Sequence, residues 1–186
     1  KSNIFKNNYP LVLELGCGKG EYSVGLARKY PNKNFLGIDV KGSRMWKGAS
    51  DALNERMSNV AFLRTRIEFI EYCFSENEVD EIWITFPDPQ IKKKRAKNRL
   101  THPKFLQLYS SVMQDNGLIH LKTDSQFLHG YTLGIIEGHQ HFLEDAEHDI
   151  YNAVIERENM DIKTHYEKLF LEKNMPISYL SFRLKK

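Results

Sequence analysis

The sequence predicts an α/β domain: a doubly wound sheet of seven strands, mostly parallel, with an antiparallel strand at the C-terminus. Three observations carry this expectation. Five short apolar runs alternate with stretches of helical spacing, the pattern of successive βαβ units. A glycine turn, Gly16-Cys17-Gly18-Lys19-Gly20, separates the first run from the first helix. The last run, ISYLSFRL, alternates apolar and polar residues, which suits an antiparallel pair at the end of the sheet. At 186 residues the chain fits a single domain, residues 1–186, on a prior of about 100–200 residues per domain.

Each element has a local reason. Leu11–Leu15 (LVLEL), bounded by Pro10 and Gly16, reads as a buried strand. The helix after the glycine turn spaces Tyr22, Leu26 and Tyr30 along one face and stops at Pro31. Asn34–Val40 is the second strand, with Asp39 near its end, and Lys41–Met57 is the helix behind it. Val60–Ile67 is the third strand, Glu68–Phe74 a short helix, and Glu81–Phe86 the fourth strand. A helix over Pro103–Gln114, with His102 at its start, turns at Asn116-Gly117 into the fifth strand, Leu118–Thr123. Ser125 can cap a helix from Gln126 to about Gly138. His141–Asp149 and Ile177–Leu184 complete the strands, with a helix over Tyr166–Lys173 between them.

Composition excludes several classes. Hydrophobic residues make up 41%, too many for a disordered chain. No apolar run approaches the ~20 residues of a membrane helix. Two cysteines without a CxxC spacing argue against a disulfide framework or a zinc ribbon and for a reducing, cytoplasmic setting. His139 and His141 lie two apart and point to opposite sides of a strand or diverge on a helix, so no metal site is expected. The chain begins just before its first strand, and further residues upstream are expected in the natural protein.

The net charge of +3 hides an uneven distribution. Six cations, Lys92, Lys93, Lys94, Arg95, Lys97 and Arg99, fall within eight residues directly after the run Pro87-Asp88-Pro89. No Asp or Glu occurs between Pro89 and Gln114, whereas the rest of the chain carries 20 basic against 24 acidic residues. Most charge runs are solvated loops. This one follows a strand end, where open α/β sheets bind ligands, and so reads as a patch for a polyanionic nucleic acid.

The glycine turn narrows the small-molecule ligand. The dinucleotide fingerprint GxGxxG fails because Glu21 stands where its third glycine belongs, and no P-loop is present. Glu14, inside the first strand, would repel a pyrophosphate. It suits a ligand bearing ammonium and sulfonium charges, S-adenosyl-L-methionine. Gly16, Gly18 and Gly20 allow close backbone approach, and Asp39, 19 residues after Gly20, can accept both ribose hydroxyls.

ELGCGKGEYS, GID, FPDPQIKKKRAKNRLTHP, LKTD and THYE, in that order, resemble the bacterial tRNA (guanine-N7-)-methyltransferase family, a class I S-adenosylmethionine-dependent group with a Rossmann-like methyltransferase fold. The resemblance implies tRNA as partner, methylation of a guanine in its variable loop, and donor contacts at Glu14, Asp39 and Asp88. It implies substrate contacts at Lys92, Asp124 and the segment Thr164, His165, Tyr166 and Glu167, and RNA contacts along Lys94, Arg95, Lys97 and Arg99. Two positions depart from the family pattern: Gln90 replaces a usual Trp, and Arg66 stands where an acid or amide touches the adenine end of the donor, so that Ile67 beside it can pack on the adenine instead.

The chemistry explains why acids recur. Guanine N7 has a lone pair and no proton, so methylation demands alignment rather than a base. A preplaced carboxylate stabilises the charge that grows on the purine, which suits Asp88, fixed between two prolines, and Asp124 at the end of the fifth strand. Bland readings stand beside these. Asp88 can be a turn acid, Asp124 a helix cap, and Thr164 with Glu167 a capping box. The rival functions are a methyltransferase of another substrate and a non-catalytic RNA-binding protein on the same fold.

Overall fold

The computed structural model describes residues 2–185. A single seven-stranded sheet has the order β3-β2-β1-β4-β5-β7-β6. Its strands are β1 (Leu11–Leu15), β2 (Asn34–Asp39), β3 (Val60–Arg64), β4 (Val79–Thr85), β5 (Met113–Thr123), β6 (Phe142–Glu147) and β7 (Ser178–Arg183). All pairs from β3 to β5 are parallel, and β7 runs antiparallel to both of its neighbours. The helices are α1 (Ser2–Phe5), α2 (Glu21–Lys29), α3 (Gly42–Asn54), α4 (Ile70–Cys73), α5 (Pro103–Val112), α6 (Gln126–Gly138) and α7 (His165–Leu171). Among the described residues no helix is long and apolar enough to cross a membrane.

The period-2 alternation of the strands divides the core into two layers. Leu11, Leu13, Leu15, Ile82, Ile84, Ile119, Leu121, Leu180 and Phe182 point to the face covered by α4, α5 and α6. The opposite face packs Val12, Phe35, Trp83 and Tyr179 against α2 and α3. On that second face the same alternation buries a polar row: Glu14, Thr85, His120 and Lys122. Trp83 stacks on His120 at 3.9 Å between ring centroids, and His120 Nδ1 shares a hydrogen bond of 2.8 Å with the Tyr179 hydroxyl.

Two elements differ from the sequence-based expectation. β5 starts at Met113, straight out of α5. Met113 pairs with Val79 and Leu118 with Glu81, so the intervening residues bulge out of register and Asn116-Gly117 sits inside the strand rather than before it. β3 ends at Arg64, and Ile67–Phe69 form a 3₁₀ turn that leads into α4. His139 and His141 do not diverge: their rings stack with centroids 5.8 Å apart. His102 caps α5 through Nδ1, which accepts from the Lys104 N–H at 3.1 Å.

Close packing of α3 on the glycine turn brings the second strand's tip up to the first. Phe62 of β3 fills a socket formed by Gly20, Gly37 and Gly48, and a Cβ on any of these would lie within 3 Å of its ring. A Cβ on Gly48 would also meet the Lys19 carbonyl oxygen at 2.7 Å. That backbone atom cannot swing aside as a flexible side chain would. Gly48→Ala is therefore expected to destabilise the protein by about 1–3 kcal/mol, the usual cost of overpacking, measured as a lowered urea midpoint. An unchanged midpoint would mean that α3 can lift off the turn without penalty.

Candidate active site at the carboxyl ends of the parallel strands

The glycine turn is the first part of the site. Gly16, Gly18 and Gly20 all take left-handed backbone angles, with φ of 76°, 53° and 73°, which residues with a Cβ seldom adopt. The turn is pinned to β2 by Gly16 N–H and Cys17 N–H, both donating to the Ile38 carbonyl at 2.8 and 3.0 Å.

Glu14 lies directly before this turn and is 4% exposed. Its Oε1 accepts from the Thr85 hydroxyl at 2.7 Å; its Oε2 accepts from the Ser23 N–H at 2.9 Å and from the Ser23 hydroxyl. No ion pair reaches it among the described residues. Burial pushes its carboxyl up to about 7, and the three hydrogen bonds oppose that rise without cancelling it. A cation brought next to Glu14 would remove the penalty. Asp39 stands across the turn, with Oδ2 accepting from Gly18 N–H at 2.9 Å and Oδ1 from Lys41 N–H at 2.8 Å. Glu14, Gly16, Gly18 and Asp39 line one pocket together with Arg44, Thr85, Phe86, Thr164 and Tyr166. Lys19 and Glu21 complete its charged lining. Glu14 and Asp39 beside the glycine backbone fit the ammonium and ribose of S-adenosylmethionine. Gly20 stands just behind it as the N-cap of α2.

A roomier cavity of about 340 Å³ lies elsewhere on the same face, lined by residues that include Glu81, Trp83, His120 and Arg157. Two ion pairs line it, Lys33 with Glu81 at 2.8 Å and Arg157 with Asp145 at 2.5 Å. The smaller pocket holds the uncompensated charge and is the better candidate for chemistry.

Asp88 and Asp124 occupy neighbouring strand tips. Phe86 N–H donates to the Lys122 carbonyl at 2.8 Å, and each acid follows two residues beyond its member of that pair. Asp88 is exposed, and its Oδ1 accepts from the Gln90 N–H at 2.9 Å, so the turn role is real. Asp124 is not the cap of α6. Ser125 is, its hydroxyl accepting from the Leu128 N–H at 3.2 Å, which leaves the half-buried Asp124 carboxyl for other work. Burial raises the Asp124 carboxyl above the ordinary aspartate range.

The structure separates members of the basic run. Lys92, Lys94, Arg95 and Lys97 are exposed on and beside a 3₁₀ segment, Lys93–Asn98. Arg99 departs from the RNA-contacting role expected of it. It is 5% exposed. Its guanidinium donates to the carbonyls of Pro89, Gln90 and Ile91 at 3.2, 3.0 and 3.5 Å, and lies 4.7 and 4.4 Å from the ring centroids of Phe127 and Tyr131. Phe86 and Gln90, on either side of Asp88, hold left-handed angles with φ of 48° and 46°. Such conformations persist where the surroundings over-determine them, and Arg99 is the residue that grips this loop.

Glu167 is likewise drawn inward. It is 0% exposed and pairs with Lys122, also 0% exposed, at 2.7 Å, while the Tyr151 hydroxyl donates to the same oxygen at 2.7 Å. Burial draws Lys122 below the ordinary lysine range, and the adjacent carboxylate opposes that fall. Thr164 and Glu167 form a complete capping box. Glu167 therefore anchors the start of α7 rather than reaching a substrate, while Thr164 and Tyr166 line the pocket and His165 N–H donates to Glu21 at 2.7 Å. Arg66 is exposed and lies 3.5 Å from Glu68, and Ile67 packs against the apolar core; neither lines the pocket. Sequence reasoning missed Lys122, Thr85 and Ser23. Only Lys122 left a signal: a lysine in the middle of an apolar strand.

Residues 8–180 match a family described as putative methyltransferase. A tRNA (guanine-N(7)-)-methyltransferase of Christiangramia forsetii is 59% identical over 184 residues, covering 98% of this chain and 82% of that protein. One from Porphyromonas gingivalis is 52% identical, covering 98% and 75%. Among solved structures, the 16S rRNA methyltransferase KamB superposes with a TM-score of 0.76 at 14% identity, over 100% of this chain and 92% of that one. A 30S ribosomal A1408 methyltransferase from an uncultured bacterium gives 0.71 at 18%, over 98% and 91%. At such identities these structures speak for the fold.

Two outcomes are expected from this geometry. Because Glu14 in the free protein holds its proton up to about pH 7, binding S-adenosylmethionine should release that proton below this pH. Affinity should then fall by about tenfold per pH unit as pH drops below 7. Calorimetry in buffers of different ionisation enthalpy reads the released proton directly; no release at pH 6 would disconnect Glu14 from the ligand. Arg99→Ala should cost about 2 kcal/mol or more, since three carbonyls lose a charged donor. Lys94→Ala, Arg95→Ala and Lys97→Ala should each stay within about 0.5 kcal/mol. Equal urea midpoints for all four variants would contradict the clamp.

Proposed function

The chain belongs to the tRNA (guanine-N(7)-)-methyltransferase family, and from that premise we propose that it transfers the methyl group of S-adenosylmethionine to N7 of a guanine in the variable loop of tRNA. The observation that carries this reading is the Glu14 carboxylate, buried without a cation beside the glycine turn. Its strand adjoins the one that leads into Asp88 and the lysine-rich segment. When bound, S-adenosylmethionine supplies an electrophilic methyl group and the cationic partner that Glu14 lacks.

The residues of the chain divide the remaining work. Glu14 holds the ammonium end, Asp39 the ribose, and Gly16, Gly18 and Gly20 let the backbone lie against the ligand. Guanine N7 needs no base to become a nucleophile, so the protein's contribution is in-line positioning and a prepared electrostatic environment. Asp88 and Asp124 meet the positive charge that develops on the purine. As acceptors they also suit the guanine N1–H and N2 amino group, which adenine cannot offer in that pattern. Lys92, Lys94, Arg95 and Lys97 attract the phosphates, and Thr164 and Tyr166 border the pocket from the α7 side, with His165 between them. Such an enzyme works in the cytoplasm, where its RNA is.

The direct test is transfer of labelled methyl from S-adenosylmethionine to unmodified tRNA. Transfer should occur, should vanish with a transcript carrying 7-deazaguanine, and should fall about 10²–10³-fold with Asp88→Ala. Replacing Lys94, Arg95 and Lys97 together by Ala should flatten the salt dependence of tRNA binding by about two phosphate contacts. Transfer that persists on the 7-deaza transcript would assign the methyl to another atom. An intact salt slope would move the RNA interface elsewhere.

A further inference from the structure

The lysine-rich segment borders the cleft on one side only. On the other side, past the tip of β2, the molecule exposes a second group of cations and a tryptophan. Trp46 of α3 is 70% exposed, and Val40 is 51% exposed. Lys41, Arg44 and Arg64 are exposed too. Arg64 lies along the start of α3: its Nε donates to the Val40 carbonyl at 3.3 Å, and its Cδ is 3.2 Å from where a Cβ on Gly42 would be. Gly42 thus makes room for the arginine at the start of α3. Nearby acids are otherwise engaged. Asp51 binds Lys47, Glu68 is the partner of Arg66, and Asp39 binds the backbone N–H groups of Gly18 and Lys41.

We propose that Lys41, Arg44 and Arg64 with Trp46 form a second RNA-binding patch, which grips the strand on the far side of the target nucleotide from the lysine-rich segment. This rests on the tRNA reading above and adds a surface to it. Exposed cations interleaved with an exposed aromatic ring are what a single-stranded nucleic acid uses, the cations for phosphates and the ring for a base. Trp46 and Gly42 are four apart on α3 and share a face, which sets the exposed tryptophan one turn from Arg64 where it lies along Gly42. The spacing also fits. The tips of β2 and β4 are two strand positions apart across β1, about 10 Å at the usual strand separation, close enough for one nucleic-acid strand to touch both while presenting a base between them. Arg44 lines the candidate pocket itself, so the patch is continuous with the site.

Trp46 also provides a signal. The chain has two tryptophans, and the other, Trp83, is 1% exposed. Quenching of intrinsic fluorescence by unmodified tRNA should therefore come from Trp46 and disappear in Trp46→Phe. Trp46→Ala should weaken tRNA binding by about 5- to 100-fold, with Trp46→Phe retaining much of the affinity. Lys41→Ala with Arg64→Ala, both exposed positions, should lower the salt slope by about one to two. S-adenosylmethionine affinity and the urea midpoint should stay at wild-type values in the Lys41/Arg64 and Trp46→Phe proteins. Unchanged tRNA affinity, salt slope and quenching in these variants, with wild-type methyl transfer intact, would overturn the patch and leave the functional reading standing. If the wild-type protein neither bound nor methylated tRNA, the functional reading would fall and take the patch with it.

Discussion

A carboxylate buried without a counter-charge is the constraint around which this site is arranged. Glu14 is held by the Thr85 hydroxyl and by the Ser23 N–H and hydroxyl, yet burial still lifts its carboxyl to about 7. Hydrogen bonds from neutral donors spread the charge but do not supply an opposite one. Sheet geometry enforces the burial. Alternation along β1 sends Leu13 and Leu15 into one core layer and Glu14 toward the other. The protein thereby holds open a place that a cationic ligand can complete, and the glycine turn beside it allows the approach.

The rest of the polar row on that face shows the opposite solution. Lys122 sits in the same layer, fully buried, and is answered by Glu167. A buried pair of this kind adds little net stability compared with apolar packing, but losing one partner is costly. Its effect here is placement. The segment leading to α7 is tied to α2 through Tyr22 and Tyr30, which donate to Asn159, and through Lys29 with Asp161. The Lys122–Glu167 pair then fixes the first turn of α7, so that Thr164 and Tyr166 close one wall of the pocket. A segment that covers the strand tips is held here by something more directional than apolar contact.

The basic run shows how one charge type serves two ends. Lys92, Lys94, Arg95 and Lys97 stay in water, where a phosphate backbone can reach them. Arg99 turns back and binds three consecutive carbonyls of the loop that carries Asp88. Only a guanidinium has the planar fork to do this while lying against the rings of Phe127 and Tyr131. The loop that carries Asp88 is thus held by a member of the same basic run whose other members stay in water.

Much of this was legible in the chain. Strand positions, the glycine turn, the acids at strand ends and the capping box are local patterns, because periodicity and turn chemistry act over a few residues. The resemblance carried by the PDP block and the basic run pointed to the family. The start of β5 at Met113 was hidden because its first residue pairs out of register across a bulge with Val79. Arg99 and Glu167 could not be separated from their exposed neighbours, since a charged side chain reads the same in a sequence whether it faces water or a buried partner. The order of residues alone determined which elements form and where acids and glycines meet the strand ends. Only the tertiary structure decided which charges are answered inside the protein and which remain open, because that depends on what a distant segment places opposite them.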